Sequence, residues 1–357
     1  MPQVNVDFYT LTSDAWRAML ADIRVATTSV SIEQYIFAID DIGKDFIELL
    51  RQKNKDGLKI RILCDTAGSY SFYSSSLPDT LRKEGIEVQF FNPIRPWRIA
   101  NFTSNFFRDH RKILVIDEEI AHLGGVGIAD NMAAWRDTHM RITGPIVANI
   151  SDSFLTLWKN VKRGIMLRYP KPNVIVPEYS FLVNAPRLRQ RYIYRALLSA
   201  IRNAKNYIYL STPYFIPDIP LYRALRAAAK RGVDVRIIVP EISDYAFIDH
   251  ARESYFTLVL KAGVKIYTYV PKMMHAKTAV VDDAWAMAGS FNLDSLSFFF
   301  NHEANIASTD QTFIREIKQD FVEDLAVCKK ITLEEWAHRP LRRKILELLT
   351  WPFHSFL

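Results

Sequence analysis

His110-Arg111-Lys112-Ile113-Leu114-Val115-Ile116-Asp117 and His275-Ala276-Lys277-Thr278-Ala279-Val280-Val281-Asp282 are one stretch written twice. Each reads H-x-K-x-x-x-x-D, and each is mostly aliphatic or β-branched after the lysine, the composition of a buried strand. Side chains alternate faces along a strand. His110 and Lys112 therefore share a face and Asp117 turns to the other, and the same holds for His275, Lys277 and Asp282. This spacing predicts that each His and Lys meet one ligand while each aspartate ties its strand to its neighbours. A lysine beside an imidazole suits an anionic phosphate. The ammonium holds the charge, and the imidazole, titrating near neutrality, attacks or moves a proton. A lone H-x-K carries no information, but here the downstream text repeats as well. Gly124-Gly125-Val126-Gly127 follows the first copy and Gly289-Ser290-Phe291-Asn292 the second. An acid then comes at a similar distance, Asp137 after His110 and Glu303 after His275.

The repeat extends upstream. In the first half, an amphipathic helix is expected near residues 13–25, capped by Ser13 or Asp14. A strand over Val30–Phe37, a helix over Asp41–Lys55 stopped by Gly57, and a strand over Leu58–Leu63 form a β-α-β unit with a right-handed crossover. A helix near 78–84, ended by Gly85, and a strand over Ile86–Phe91 follow. In the second half the strand Tyr207–Leu210, the helix Leu221–Lys230, Gly232 and the strand Val233–Val239 copy that order, with Gly263 matching Gly85 and Pro271 matching Pro93. Two copies mean two similar halves facing each other, since a solenoid needs more. The expected divisions are 1–168 for the first half, 169–180 for a linker marked by Pro170, Lys171, Pro172 and Pro177, 181–330 for the second half, and 331–357 for a C-terminal segment.

Two segments break the repeat. Ile94–Arg108, aromatic and basic, is an insertion leading into the first histidine. It is either a substrate lip, with Arg95, Trp97, Arg98 and Arg108 meeting head groups, or a surface loop whose aromatics pack on the core. At the chain end, Thr332-Leu333-Glu334-Glu335 fits a capping box. Leu341, Ile345, Leu348 and Leu349 then share a helical face opposite Arg342, Arg343 and Lys344, and Trp351, Phe353 and Phe356 follow. Both an interfacial membrane helix and a helix docked on its own protein fit this pattern.

Composition sets the remaining bounds. The 357 residues carry a net charge of +7, which favours acidic partners. Cys64 and Cys328 stand alone, with no zinc-type or disulfide spacing. Neither a signal peptide nor an apolar run of membrane-spanning length is readable.

The paired motif, with G-S-x-N after its second copy, resembles the phospholipase D superfamily. Trp135–Pro145, Thr212–Asp218 and Gly289–Asp294 resemble bacterial cardiolipin synthases, in a form without N-terminal transmembrane helices. The likeness runs from about Val30 to about Ala307. It implies an α/β fold, a pseudo-twofold pair of halves, each a mixed β-sheet flanked by helices, with the active site between them. It implies a phosphatidyltransferase making cardiolipin from phosphatidylglycerol and a second phospholipid. His110 would be the nucleophile, forming a phosphohistidine, and His275 the acid and base. The residues alone leave that symmetry unbroken. Lys112, Lys277 and Asn292 would bind the phosphoryl oxygens, Gly125 and Ser290 would border the substrate, and Asp137 and Glu303 would each orient one imidazole. No metal or other cofactor is implied, and no nucleic acid. The partner would be an anionic phospholipid surface, met peripherally on the cytoplasmic face of the membrane. Gly127 departs from the family, which usually has Asn there, so the first half-site would lack one phosphate hydrogen bond. His122, His139, His250 and His302 receive no catalytic role. Two other function classes share the pattern: a hydrolase, either phospholipase D or nuclease, and a non-catalytic membrane-binding protein.

Overall fold

The computed structural model describes residues 3–93, 107–164, 169, 176–185 and 190–350. In the first half, strands β1 (Asn5–Leu11), β2 (Ser29–Gln34), β3 (Lys59–Asp65), β4 (Glu87–Phe91), β5 (Ile113–Ile116), β6 (Ile120–Gly124) and β7 (Arg136–Thr143) form one sheet in the order β1-β7-β6-β5-β2-β3-β4. In the second, β8 (Tyr179–Ala185), β9 (Gln190–Arg191), β10 (Tyr207–Ser211), β11 (Asp234–Pro240), β12 (Lys265–Tyr269), β13 (Thr278–Val281), β14 (Trp285–Gly289), β15 (Glu303–Ser308) and β16 (Cys328–Ile331) are ordered β16-β12-β11-β10-β13-β14-β15-β8-β9. With the edge strands β9 and β16 set aside, the two orders correspond strand for strand. Both sheets are mixed. β2, β3 and β4 run parallel, as do β10, β11 and β12, while the motif hairpins β5-β6 and β13-β14 are antiparallel.

The crossover helices Asp41–Lys55 and Ile219–Lys230 each begin on an aspartate cap, Asp40 and Asp218, whose carboxylate accepts from Gly43 and Leu221 N–H. The aligned glycines Gly57 and Gly232 follow at φ 91° and 87°, a conformation that costs a side-chain-bearing residue. The expected cap on the first helix is a correction. That helix spans Thr12–Val25, and Leu11 precedes it without a side-chain bond. Its first N–H groups instead donate to the carbonyls of Trp135 and Ala133, so the chain beside β7 satisfies them.

The halves are packed together by their sheets. Ile113, Val115, Leu123, Met140 and Ile142 of the first share one core with Val280, Ala286, Ala288, Ala304 and Ile306 of the second. Alternation sends Leu114 and Ile116 to the outer core of the first half. The motif strands are shorter than their composition suggests. β5 and β13 begin after the lysines, and the histidine segments enter them by crossing between halves. Asp109 bridges His302, and Arg136 bridges Met274.

Each motif aspartate opens the hairpin turn after its strand. Asp117 and Glu118, like Asp282 and Asp283, hold two successive positive φ angles, the geometry of a type I′ turn. The Asp117 carboxylate accepts from Thr27, Thr28 and Ser29 N–H at 2.8 Å each, and that of Asp282 from Lys205, Asn206 and Tyr207. Although burial pushes the Asp117 carboxyl up, these N–H donors hold it well below the usual range.

At the chain end, Thr332 and Glu335 form the expected capping box. The terminal helix, Leu341–Thr350, lies on the helix Ala246–Lys261 and docks through charge. Arg343 Nε sits 2.6 Å from the buried Glu253, and Arg339 lies 2.6 Å from Glu347. A buried carboxylate needs such a partner. Leu341, Ile345 and Leu349 are left 72%, 49% and 62% exposed. Arg95, Trp97, Arg98 and the aromatic residues 351–356 lie outside the described residues. So do Pro170 to Pro172, and β8 begins inside the stretch read as linker. Among the described residues no helix is long and apolar enough to cross a membrane.

Candidate active site

The crossing of the two histidine segments builds the site. His110 N–H donates to the His302 carbonyl at 3.0 Å, and His275 N–H to the Arg136 carbonyl. His302 precedes Glu303 and Arg136 precedes Asp137, so each histidine is laid against the acid of the other half. His110 Nδ1 lies 3.1 Å from both Glu303 carboxylate oxygens, and His275 Nδ1 lies 2.7 Å from Asp137 Oδ2. A neutral imidazole donating from Nδ1 keeps the lone pair of Nε2 for chemistry. Both rings line one cavity of about 210 Å³ between the halves.

The lysines behave as a pair. Lys112 Nζ donates to the His110 carbonyl at 2.7 Å, and Lys277 Nζ to the His275 carbonyl at 2.5 Å. Lys112 lines the cavity, and Lys277 is fully buried. Burial pushes Lys112 down to about 7, opposed by Glu303 and aided by Lys277. Burial likewise brings Lys277 to about 8. Burial and then Lys277 push His275 down to about 3, and burial pushes His110 down against the pull of Glu303. Burial works against ionisation of Asp137 and Glu303, yet their histidine and lysine neighbours hold both below the usual range. The two His–carboxylate couples thus pair ionised acids with neutral imidazoles at neutral pH, beside two lysines whose hold on their protons burial has weakened.

The remaining expected residues divide. Asn292 and Gly125 line the cavity. The buried Asn292 side-chain oxygen has no hydrogen-bond partner among the described residues. The Ser290 hydroxyl donates to Glu303, which also accepts from Ser297 at 2.7 Å. The Arg108 guanidinium stands 3.6 Å from the buried Asp65 carboxylate and donates to the Asn92 carbonyl at 3.1 Å.

The two half-sites are not equal. A Cβ on Gly125 would meet Asp137 Oδ1 at 2.2 Å, so no side chain fits where the second half has Ser290. Gly127 stands where the second half has Asn292, and a Cβ there would press on Met132 Sδ at 3.1 Å and Ile36 Cβ at 3.3 Å. Both halves put polar groups on the wall, Tyr35, His110 and Lys112 from the first and Tyr214, His275 and Asn292 from the second, and the first adds Ile36, Met132 and Trp135.

Sequence reasoning missed the aromatic frame. Tyr35 packs edge-on to His110 at 4.9 Å, and Trp135 lies 5.2 Å from His275. Tyr214 lines the cavity and donates to Asp244 at 2.6 Å. Asp294, also on the wall, is pushed up to about 7 by burial. Tyr214 and Asp294 sit inside phrases that carried the resemblance, a signal that could have marked them. Tyr35 sits one residue past β2 and has no such mark.

Comparison with known proteins agrees with this geometry. Residues 19–158 and 197–325 match the family described as "Cardiolipin synthase, PLD-like domain". The chain is 34% identical to the cardiolipin synthase of Clostridium perfringens strain SM101, over 96% of this chain and 75% of that one. It is 35% identical to the major cardiolipin synthase of Bacillus subtilis strain 168, over 96% and 73%. The crystal structure of a phosphatidylserine synthase from Haemophilus influenzae has the same fold, with a TM-score of 0.76 at 13% identity, over 98% of this chain and 93% of that one.

Proposed function

Because the chain belongs to the cardiolipin synthase family of phospholipase D-like proteins, we propose that it is a phosphatidyltransferase joining two phospholipids into cardiolipin through a phosphohistidine. The observation that carries the reading is the crossed pair of His–carboxylate couples on one lysine-flanked cavity.

The phosphodiester of phosphatidylglycerol lies between the rings, its charge on Lys112, Lys277 and Asn292. His110 Nε2 attacks phosphorus. A P–N bond forms, the P–O bond to the head-group glycerol breaks, and His275, which takes a proton from solvent onto Nε2 as the anionic phosphodiester binds, gives that oxygen the proton. A hydroxyl of the second phosphatidylglycerol then enters. His275 takes its proton, its oxygen attacks phosphorus, and the P–N bond breaks. One phosphodiester is exchanged for another. Glu303 holds His110, and Asp137 steadies His275 when it is charged. Burial and Lys277 keep His275 neutral at rest, and the negative charge of the arriving phosphodiester works the other way, raising its affinity for a proton.

The protein meets lipid at the membrane surface. The terminal helix supports this, since its docking leaves Leu341, Ile345 and Leu349 facing outward. The anionic lipid recognised is phosphatidylglycerol, and the surface is the cytoplasmic face.

The test is incubation of purified protein with labelled phosphatidylglycerol in liposomes and separation of the products by class. Cardiolipin with released glycerol supports the reading. Phosphatidic acid as main product replaces it with hydrolysis, and no turnover with a binding role.

A further inference from the structure

A second concavity adjoins the histidine cavity. It is an open groove of about 750 Å³, walled chiefly by Pro217, Ile219, Tyr255, Leu258, Phe299 and Phe300. Ile219 and Leu258 are 64% and 41% exposed there. An apolar concavity of this size beside a reaction centre is a place for an apolar ligand.

Groove and cavity share a wall made of three neighbouring residue pairs. Ile216 lines the cavity and Pro217 the groove. Leu296 lines the cavity and Ser295 the groove. Asn301 lines the cavity and Phe300 the groove. Beyond Phe300 the chain runs to the His302 carbonyl, which receives the His110 N–H, and to Glu303, which holds the His110 ring. Phe107, three residues before His110, packs on the Phe300 ring at 5.7 Å. The groove therefore flanks the histidine that takes the phosphoryl group.

We propose that this groove seats an acyl chain of the phospholipid whose phosphorus His110 receives. The inference rests on the phosphatidyl-transfer reading. In that reaction the diacylglycerol stays bonded to phosphorus from donor through covalent intermediate to product, and only the alcohols change. A fixed seat for the chain belongs beside the nucleophile. The polar groups on the rim are already engaged. The Arg191 guanidinium lies 4.8 Å over the Phe299 ring, and the Asp218 carboxylate accepts from Tyr194 at 2.6 Å. The apolar floor thus carries no lone charge.

The test compares dodecyl phosphate, below its micelle concentration, with ethyl phosphate by titration calorimetry on the full chain. Dodecyl phosphate should bind about tenfold tighter or more, which the burial of about two methylenes would already supply. The double substitution Ile219→Glu, Leu258→Glu should bring the ratio near one, while Val25→Glu, at the exposed end of the first helix, should leave it intact. A wild-type ratio near one, or a ratio that survives the double substitution, overturns the proposal. Turnover of phosphatidylglycerol separates the two readings. Cardiolipin formed without any chain-length preference removes the groove and keeps the transfer. Chain-dependent binding without turnover keeps the groove as a lipid seat and removes the transfer.

Discussion

His110 Nδ1 and the Glu303 carboxylate meet at 3.1 Å from opposite halves, 193 residues apart in the chain, and His275 and Asp137 meet in the same way. In the proposed transfer each acid therefore serves the step run by the other half's histidine. Glu303→Gln should slow phosphohistidine formation by about 10³-fold or more, in the range seen when a triad acid becomes an amide. Asp137→Asn should instead let a labelled adduct accumulate when the leaving group is good, because general-acid help is then less needed. Adduct trapping by denaturation at alkaline pH, where the P–N bond survives, checks both. Accumulation in Glu303→Gln and loss in Asp137→Asn would show the roles of the histidines to be reversed.

The depressed lysines and imidazoles set the pH response. The second-order rate constant kcat/KM reports the free enzyme. Lys112, brought to about 7, loses its proton as pH rises through 7 to 8, so kcat/KM should fall on that side. His110, held below the ordinary 6.5, stays neutral until the pH drops under that value, so the acid limb should lie below it. A profile flat from pH 6 to 9 with a short-chain lipid would remove Lys112 from phosphate binding.

Asp117 should matter for stability and not for chemistry. Asp117→Ala removes the acceptor of three backbone N–H groups and should cost about 1–2 kcal/mol, as for a lost helix cap. Its folded pKa is depressed, so the added stability is present above the unfolded value of about 3.9 and is lost as pH falls through the folded one. Urea unfolding of variant and wild type should therefore differ at pH 7 and converge in acid. A gap unchanged at low pH would show that the carboxylate charge is not the cause.

The terminal helix separates docking from lipid contact. The triple substitution Leu341→Glu, Ile345→Glu, Leu349→Glu touches only exposed side chains, so stability should move by about 0.5 kcal/mol or less for each of the three. Co-sedimentation with phosphatidylglycerol-rich vesicles at low salt should fall at least tenfold. Activity on lipid dispersed in detergent should persist. Unimpaired sedimentation would send the search for the membrane face elsewhere.

The site was legible where local spacing carries it. His110 and Lys112, His275 and Lys277 and the turn acids Asp117 and Asp282 could be read because a period of two and a hairpin turn are local rules. The glycines at 57 and 232 could be read for the same reason. The partnering of Glu303 with His110 could not, since it depends on how two sheets cross and no local rule reaches that far. The bond from the Ser290 hydroxyl to the glutamate at 303 could not be read either. Tyr35 was missed although it stands in the stretch read as a strand, because alternation assigns a face and not the ring beside it. Trp135 opens a phrase that carried the resemblance and could have been marked by it.

Gly125 and Gly127 face Ser290 and Asn292 across the pseudo-twofold axis. A dimer of two identical chains would have to carry the same residues at both places, since a twofold axis copies every substitution. Joining the copies in one polypeptide lifts that constraint. One position of the pair is then free to carry an amide at the cavity while its counterpart stays bare, crowded by Met132 and Ile36.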